Sequence, residues 1–225
     1  MTTPFRAIVI GGTGQVGSAV VQELLAEAAC RELVMITRKS VTLVDATRVR
    51  NLVVDTSSAD FPERIAAVAK DVVASGDHVV GVSCVGVGKG SAQWSEEQLI
   101  QLEVGVVGGF ARAVRQAGVT QFCLLSAVSS NAKSAIKYVR VMGLKEEAVQ
   151  AVGFPRLAIF RPGIIVGNVH TPRWVGWLGK AVPGPWGNIE QRDIGKAFVA
   201  EMAKHGSETG LAIYDNQAMR RLFTS

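Results

Sequence analysis

The sequence has few of the features that mark secreted, metal-binding or membrane-spanning proteins. Its 225 residues include three cysteines, Cys30, Cys84 and Cys123, whose separations match no metal-binding motif. Isolated thiols are typical of reduced cysteines inside cells, so we expect neither a disulfide nor a metal centre. No apolar run reaches the roughly 18 residues of a membrane span, and residues 1–12 lack the features of a signal peptide. The sequence therefore predicts a cytoplasmic protein without a membrane partner.

Acidic residues are outnumbered, with 19 Asp and Glu against 24 Lys and Arg, which gives a net charge of +5. The basic residues are scattered along the chain rather than grouped in blocks. This distribution favours a solvated surface or a polyanionic cofactor over a nucleic acid, so we expect no nucleic-acid partner. The chain length and the 48% hydrophobic content fit one α/β domain over residues 1–225.

Apolar runs alternate with amphipathic stretches along most of the chain. The predicted strands are 5–10, 33–37, 51–54, 78–85, 120–125, 156–160 and 211–214, and the predicted helices are 15–28, 61–73, 96–116, 133–152 and 193–204. Strands that alternate with helices join by right-handed crossovers. The pattern therefore predicts a doubly wound parallel sheet of the Rossmann type.

The alternation weakens after Gly167. Residues 176–187 are rich in Gly, Pro and Trp, so we expect residues 168–190 to form a small irregular C-terminal lobe that shapes a substrate pocket. Trp174, Trp177 and Trp186 are candidates for an apolar lining of that pocket. Ordinary packing within the lobe is an equally open interpretation.

A glycine-rich loop, Gly11-Gly12-Thr13-Gly14-Gln15-Val16-Gly17, joins the first strand to the first helix. Gly11 permits a tight turn, Gly14 lets backbone N–H groups approach a pyrophosphate, and Gly17 lets the helix pack closely. The exposed helix N-terminus attracts phosphate. In this strand–turn–helix context the motif predicts a dinucleotide site. The predicted contacts are Gly11, Thr13, Gly14, Gln15, Val16 and Gly17.

The end of the second strand indicates which dinucleotide binds. An NAD site places Asp or Glu there, whereas this chain has Thr37-Arg38-Lys39. Two cations favour a 2′-phosphate, which an arginine can bind through two hydrogen bonds, so we predict NADP(H) with contacts from Arg38 and Lys39. A solvated basic loop is the alternative. Asp55, after the third strand, is a candidate adenine contact or a simple turn carboxylate.

These motifs resemble the atypical short-chain dehydrogenase/reductase superfamily, and within it the small TIP30-like oxidoreductases. The resemblance extends to about Gly167. It is carried by the glycine loop, Arg38, and the segments Ser83-Cys84-Val85-Gly86, Leu124-Leu125-Ser126 and Phe160-Arg161-Pro162-Gly163. It implies that Val85 and Gly86 contact the adenosine side of the cofactor. It also implies that Pro162, Gly163 and Ile164 lie beside the nicotinamide.

The same resemblance implies a catalytic pair, Ser126 and Tyr138. Ser126 would hydrogen-bond a substrate carbonyl, and Tyr138 would exchange a proton as hydride moves. Each has a plain alternative, because Ser126 can cap a loop and Tyr138 can pack on its helix. The family pattern Tyr-x-x-x-Lys has Met142 at its lysine position. Lys145 shares the helix face of Tyr138 but is about 10 Å further along the axis.

The leading hypothesis is therefore an NADP(H)-binding oxidoreductase that acts on a small carbonyl or alcohol, with weak turnover because of Met142. The alternative is a non-catalytic NADP(H)-binding regulatory or scaffold protein. A homodimer or a regulatory protein partner is compatible with both hypotheses.

Overall fold

The computed structural model describes residues 3–42, 45–87, 93–166, 187–204 and 208–224. Seven strands form one sheet in the order β3-β2-β1-β4-β5-β6-β9, and every neighbouring pair is parallel. Helices cover both faces of this sheet. The predicted doubly wound parallel sheet is confirmed.

The elements follow one another in the predicted order. The strands are β1 Phe5–Ile10, β2 Cys30–Thr37, β3 Val49–Val53, β4 His78–Ser83, β5 Gln121–Leu125, β6 Arg156–Phe160, β7 Ile164–Val166, β8 Asn188–Glu190 and β9 Gly210–Tyr214. The helices are α1 Gln15–Ala26, α2 Phe61–Val73, α3 Glu96–Leu99, α4 Val107–Gln116, α5 Lys137–Gln150, α6 Gln191–Met202 and α7 Asn216–Thr224. A π-helical segment, Ile100–Val106, joins α3 to α4.

Besides the π-helical segment within the predicted helix 96–116 and small shifts of element ends, the structure corrects the prediction at three places. Helix α5 begins at Lys137 rather than at residue 133, because local bonds from Asn131 and Ser134 side chains to backbone N–H groups hold the preceding residues in turns. Strands β7 and β8 form a separate two-stranded parallel sheet that the sequence did not predict. Helix α7 follows β9, where we expected the regular elements to end.

Two apolar layers hold the sheet between its helices. One layer lies under α1, α6 and α7 and includes Val20, Phe160 and Phe198. The other lies under α2 and α4 and includes Ile65 and Phe110. This sandwich brings the carboxyl ends of β1, β2, β4, β5 and β6 to one edge of the sheet, where ligands of such folds bind.

The predicted irregular lobe, residues 168–190, lies mostly outside the described residues, as do Trp174, Trp177 and Trp186. Its last residues form β8 and lead directly into α6. Among the described residues, none of the helices has the length and apolar character needed to cross a bilayer.

Candidate functional site

The glycine loop passes so close to its neighbours that side chains would not fit. Gly11 has φ +81°, and a Cβ there would lie 2.6 Å from the carbonyl carbon of Cys84. A Cβ on Gly17 would lie 2.0 Å from the Gly11 carbonyl oxygen. The N–H of Gly14 donates to that same oxygen at 3.0 Å. These contacts fix a tight turn that directs α1 away from the end of β1.

Helix α1 begins without a side-chain cap. Gly14 occupies the N-cap position, and the first turn, which includes Gln15, Val16 and Gly17, contains no acidic residue. The N–H groups of an uncapped first turn carry partial positive charge and lack partners within the helix. The start of α1 therefore suits an anion such as a pyrophosphate.

A cavity of about 290 Å³ lies beside this loop at the carboxyl ends of β1, β2 and β4. It brings together Gly11, Thr13, Gly14, Arg38, Val85 and Gly86, which the sequence predicted as cofactor contacts. Its other lining residues are Ile10, Ile36, Thr37, Thr56, Cys84, Val87, Trp94, Leu102 and Val106. The uncapped helix, the glycine cradle and an arginine at one cavity fit a dinucleotide.

Lys39 and Asp55 have other surroundings. The Lys39 side chain is exposed and outside the cavity lining, while its carbonyl accepts a hydrogen bond from Thr37 Oγ1 at 2.7 Å. Asp55 accepts from the Ser57 N–H at 2.9 Å and from Ser57 Oγ at 2.7 Å, and the Ser57 hydroxyl lowers the pKa of this carboxyl. Thr56, the next residue, lines the cavity in its place. The Asp55 contacts are those of a turn carboxylate.

Ser126 lies at the carboxyl end of β5 and is buried. Its hydroxyl donates to Glu146 Oε1 at 2.5 Å, and its Oγ lies 3.0 Å from Ser130 Oγ. Arg161 forms an ion pair with the same glutamate, with Nε 2.9 Å from Oε1. Because Ser126 donates to Glu146, its proton points at that carboxylate, while its lone pairs can accept a hydrogen bond. Ser129, in the same loop, has φ +63°, a left-handed conformation that costs a non-glycine residue about 1–2 kcal/mol.

Tyr138 lies in the first turn of α5 and is 37% exposed. Partial burial of the phenol and the nearby carboxylate of Glu103 raise its pKa to about 12. The hydroxyl is therefore protonated at neutral pH. It can donate a proton, but it cannot act as a base without a change in its surroundings.

Met142 and Lys145 explain why no cation lowers that pKa. Met142 is buried in a small apolar cluster with Leu99 and Val141. Lys145 is 2% exposed, and its Nζ donates to Glu103 Oε2 at 2.9 Å. The Lys145 ammonium is thus held in a buried ion pair with Glu103.

The Pro162-Gly163-Ile164 segment is fixed from both sides. The Pro162 carbonyl accepts from the Val128 N–H at 3.0 Å, which joins the segment to the loop after Ser126. Buried Asn216, on α7, accepts from the Gly163 N–H at 3.0 Å and donates to the Gly187 carbonyl at 2.6 Å. Asn216 was not predicted, because α7 was not predicted. An asparagine two residues after a predicted strand end was the available signal.

No cluster of three or more His, Cys, Asp or Glu side chains that could hold a metal occurs within the described ranges. The candidate site consists of the glycine-loop cavity and of the bonded group Ser126, Glu146 and Arg161 at the carboxyl end of β5, while Tyr138 lies in the first turn of α5.

The sheet order and the glycine-loop cavity define a Rossmann-type α/β protein with the fold of the short-chain dehydrogenases/reductases. Three solved structures of enzymes resemble it in fold. The oxidoreductase YlbE of Lactococcus lactis aligns with a TM-score of 0.69 and 16% sequence identity, and the alignment covers 98% of this chain and 97% of the YlbE chain. WbmG of Bordetella bronchiseptica, solved with NAD, aligns with a TM-score of 0.67 and 13% sequence identity, and the alignment covers 93% of this chain and 72% of the WbmG chain. UDP-N-acetylglucosamine 4-epimerase of Bacillus cereus has a TM-score of 0.67 at 14% identity, covering 96% and 82%.

Sequence relatives identify the family more closely. The mitochondrial protein FMP52 of Aspergillus fumigatus is 33% identical over 164 residues, which are 73% of this chain and 68% of the relative. FMP52-1 of Scheffersomyces stipitis is 30% identical over 167 residues, covering 74% and 70%. The chain therefore belongs to the FMP52 family. No family model matches it.

The predicted cytoplasmic location is wrong by this comparison, because the curated relatives are named as mitochondrial proteins. The prediction depended on the lack of a signal peptide and of a membrane span. Neither feature distinguishes the cytoplasm from a mitochondrial compartment.

Proposed function

We propose that this protein is an NADP(H)-dependent reductase of a small carbonyl substrate. One observation carries the choice of cofactor. Arg38 lines the cavity at the end of β2, where the chain has no acidic residue to accept from ribose hydroxyls. A guanidinium there can form two hydrogen bonds with a 2′-phosphate.

In this proposal the glycine loop and Arg38 would hold NADPH, which would supply hydride for the carbonyl carbon. Tyr138 donates its hydroxyl proton to the carbonyl oxygen, which yields the alcohol, and the phenol then regains a proton from water. The raised pKa of Tyr138 supports the direction of reduction, because the phenol carries its proton at neutral pH. Oxidation of an alcohol would require the phenolate.

Ser126 takes an accepting role in this scheme. Its own proton is held by Glu146, so its oxygen can accept from the Tyr138 hydroxyl or from the product alcohol. Glu146 keeps that serine in one orientation, because its carboxylate is buried and is bonded to both Ser126 and Arg161. Tyr138 then gives the substrate carbonyl its donor, and Ser126 can accept a hydrogen bond from the alcohol that forms.

A second candidate is a non-catalytic NADP(H)-binding regulatory protein, whose partner would be a second copy or another protein. The apolar surroundings of Met142 and the paired state of Lys145 favour it, since neither residue offers Tyr138 a free cation that would promote proton transfer. Both candidates are compatible with the TIP30-like resemblance. For both we propose a mitochondrial location, as in the FMP52 relatives.

The test is a calorimetric titration of NADPH and NADH into wild type and Arg38→Ala. We expect wild type to prefer NADPH, and Arg38→Ala to weaken NADPH binding by about 10- to 100-fold through loss of a charged hydrogen bond. NADH binding should change little. Arg64→Ala, an exposed arginine outside the cavity that donates to the Val53 carbonyl, is the matched control. Equal affinities of wild type for the two cofactors would refute the NADP(H) assignment.

A further inference from the structure

Two charged residues occupy core positions on neighbouring helical segments. Glu103 lies between Leu99 and Val107 at four-residue spacing, and all three side chains are fully buried. Lys145 likewise lies four residues from each of two buried valines of α5, Val141 and Val149. Apolar side chains of similar volume are often as stabilising as a buried ion pair, or more so. The charges therefore point to a role other than stability.

Glu103 uses both of its carboxylate oxygens. Oε2 accepts from Lys145 Nζ at 2.9 Å, and Oε1 accepts from the Val87 N–H at 3.0 Å. Val87 directly follows Val85 and Gly86 in the lining of the nucleotide cavity. Glu103 thus joins the floor of that cavity to the helix that bears Tyr138. It lies in the π-helical segment, and such wide turns are frequent at functional sites.

Charged residues on α5 and on two segments that pack against it are paired. They are Glu96 of α3, Glu103 of the π-helical segment, and Lys137, Arg140 and Lys145 of α5. Arg140 forms an ion pair with Glu96 at 2.7 Å, and Lys137 Nζ donates to the Trp94 carbonyl at 2.6 Å. Burial and the Glu103 carboxylate are the causes of the raised pKa of Tyr138. Glu103 is therefore the charge with a direct effect on the phenol.

We propose that Glu103 is a positioning residue that fixes the cavity floor at Val87 and holds the Lys145 ammonium in an ion pair away from Tyr138. The inference rests on the proposed function, because it gives Tyr138 the part of proton donor. With the ammonium held in the ion pair, the phenol keeps its raised pKa and remains the protonated donor that the proposed reduction uses. Glu103 acts on the phenol in this way without touching the substrate.

The chain contains two tyrosines, so Tyr214→Phe leaves Tyr138 as the single phenol. In that background, ultraviolet difference absorbance measures the ionised fraction of Tyr138. All variants are compared at one alkaline pH, chosen so that circular dichroism shows each of them to be folded. We expect Glu103→Gln to increase this fraction about tenfold or more, because loss of the carboxylate lowers the phenol pKa by about one pH unit or more. An unchanged fraction in Glu103→Gln would overturn the proposal.

Lys145→Met is the matched control, because it leaves the Glu103 charge without its partner. Its ionised fraction should be no higher than that of the parent. If both single variants increase the fraction, the effect is loosened packing, and the proposal is wrong. If Glu103→Gln does not fold, the double variant Glu103→Gln/Lys145→Met replaces the whole ion pair, and we expect it to fold. It should also show the increased fraction, and an unchanged value would overturn the proposal.

The same samples separate this inference from the proposed function. NADPH binding, followed by calorimetry, tests the cofactor site and does not depend on the phenol. Wild type that fails to bind NADPH refutes the proposed function, whatever the titration of Tyr138 shows. Wild type that binds NADPH, with a phenol indifferent to Glu103, refutes the positioning role alone.

Discussion

The two tyrosines of the chain both lie near a buried glutamate, and they differ in what their hydroxyl groups contact. Tyr214, on β9, donates to Glu201 Oε2 at 2.7 Å and accepts from Arg156 Nη2 at 2.9 Å. Arg156 Nε donates to the other oxygen of Glu201 at 2.7 Å. Both carboxylate oxygens of Glu201 and the Tyr214 hydroxyl have partners, and the network ties β6, β9 and α6 together.

Tyr138 lies near Glu103 but does not share its hydrogen bonds. Glu103 bonds Lys145 and the Val87 N–H, and the phenol remains 37% exposed. Burial and a neighbouring carboxylate raise the pKa of both tyrosines. One pattern of charges thus serves two purposes. The Tyr214 hydroxyl, bonded to Glu201 and Arg156, stabilises the fold. In the proposed function, the Tyr138 hydroxyl, which does not bond Glu103, keeps its proton available for a ligand.

Replacing each tyrosine by phenylalanine breaks this comparison most strongly. Tyr138→Phe should lower NADPH-dependent reduction of a quinone such as 9,10-phenanthrenequinone by about 10²- to 10⁴-fold, the typical contribution of a general acid. Its free energy of unfolding should change by no more than about 0.5 kcal/mol, since this side chain is 37% exposed. Steady-state kinetics and urea unfolding measure the two effects.

Tyr214→Phe should show the opposite pattern. Loss of its hydroxyl leaves Glu201 and Arg156 each short of a partner, which should cost about 1–3 kcal/mol of unfolding free energy. Turnover per folded molecule should stay at the wild-type level. Equal kinetic losses in the two variants would show that Tyr138 has no special part in proton transfer. Wild type that binds NADPH but reduces no carbonyl would favour the non-catalytic candidate.

Met142→Lys gives Tyr138 a nearby cation, which Tyr214 already has in Arg156. The ammonium would enter an apolar cluster with Leu99 and Val141, so we expect a cost of about 3 kcal/mol or more in unfolding free energy. The same charge should lower the phenol pKa and raise turnover about tenfold. Kinetics and urea unfolding of one preparation test both effects.

Met142→Leu is the control for volume, and it should change stability by less than about 1.5 kcal/mol and leave turnover unaltered. If Met142→Lys loses stability and gains no turnover, the missing lysine does not limit the reaction.

The fold was largely predictable because its strands are apolar runs and its first turn is marked by glycines. Residues 5–10 and 156–160 were predicted to the residue, since both strands are buried in the centre of the sheet. The start of α5 was not predicted correctly. The side chains of Asn131 and Ser134 accept hydrogen bonds from nearby backbone N–H groups, and these bonds compete with helix formation. Helix α7 was missed because its amphipathic pattern is short.

The nucleotide half of the site was more predictable than the catalytic half. Glycines and Arg38 act through local backbone geometry and one exposed charge, which sequence order reveals. Glu103, Lys145 and Glu146 act through burial, and a charged residue on a helix is ordinarily solvated. A signal did exist, because Glu103 and Lys145 each interrupt a four-residue apolar spacing where a core residue is expected.

The smallest expected effect concerns stability in alkaline solution. The pKa of Tyr138 is about 12 in the folded protein, above its ordinary value of 10.0. A raised folded pKa contributes stability that is complete below the unfolded pKa and is lost as pH rises through the folded one. Wild type should therefore lose stability from about pH 10 upward as the unfolded phenols ionise. Tyr138→Phe should remove a small part of this loss, because water screens a phenol that is 37% exposed.

Tyr214→Phe should remove a larger part, since the hydroxyl of that phenol is bound within the network of Glu201 and Arg156. The buried thiols contribute a background, because burial raises the pKa of Cys30 to about 11 and of Cys84 to about 12. All variants share that background, so differences between them isolate the tyrosines. Urea midpoints at constant ionic strength, from neutral pH to about pH 11, measure the slopes. A steeper contribution from Tyr138 than from Tyr214 would place Tyr138 inside a bonded network and remove the basis for its role as a donor to substrate.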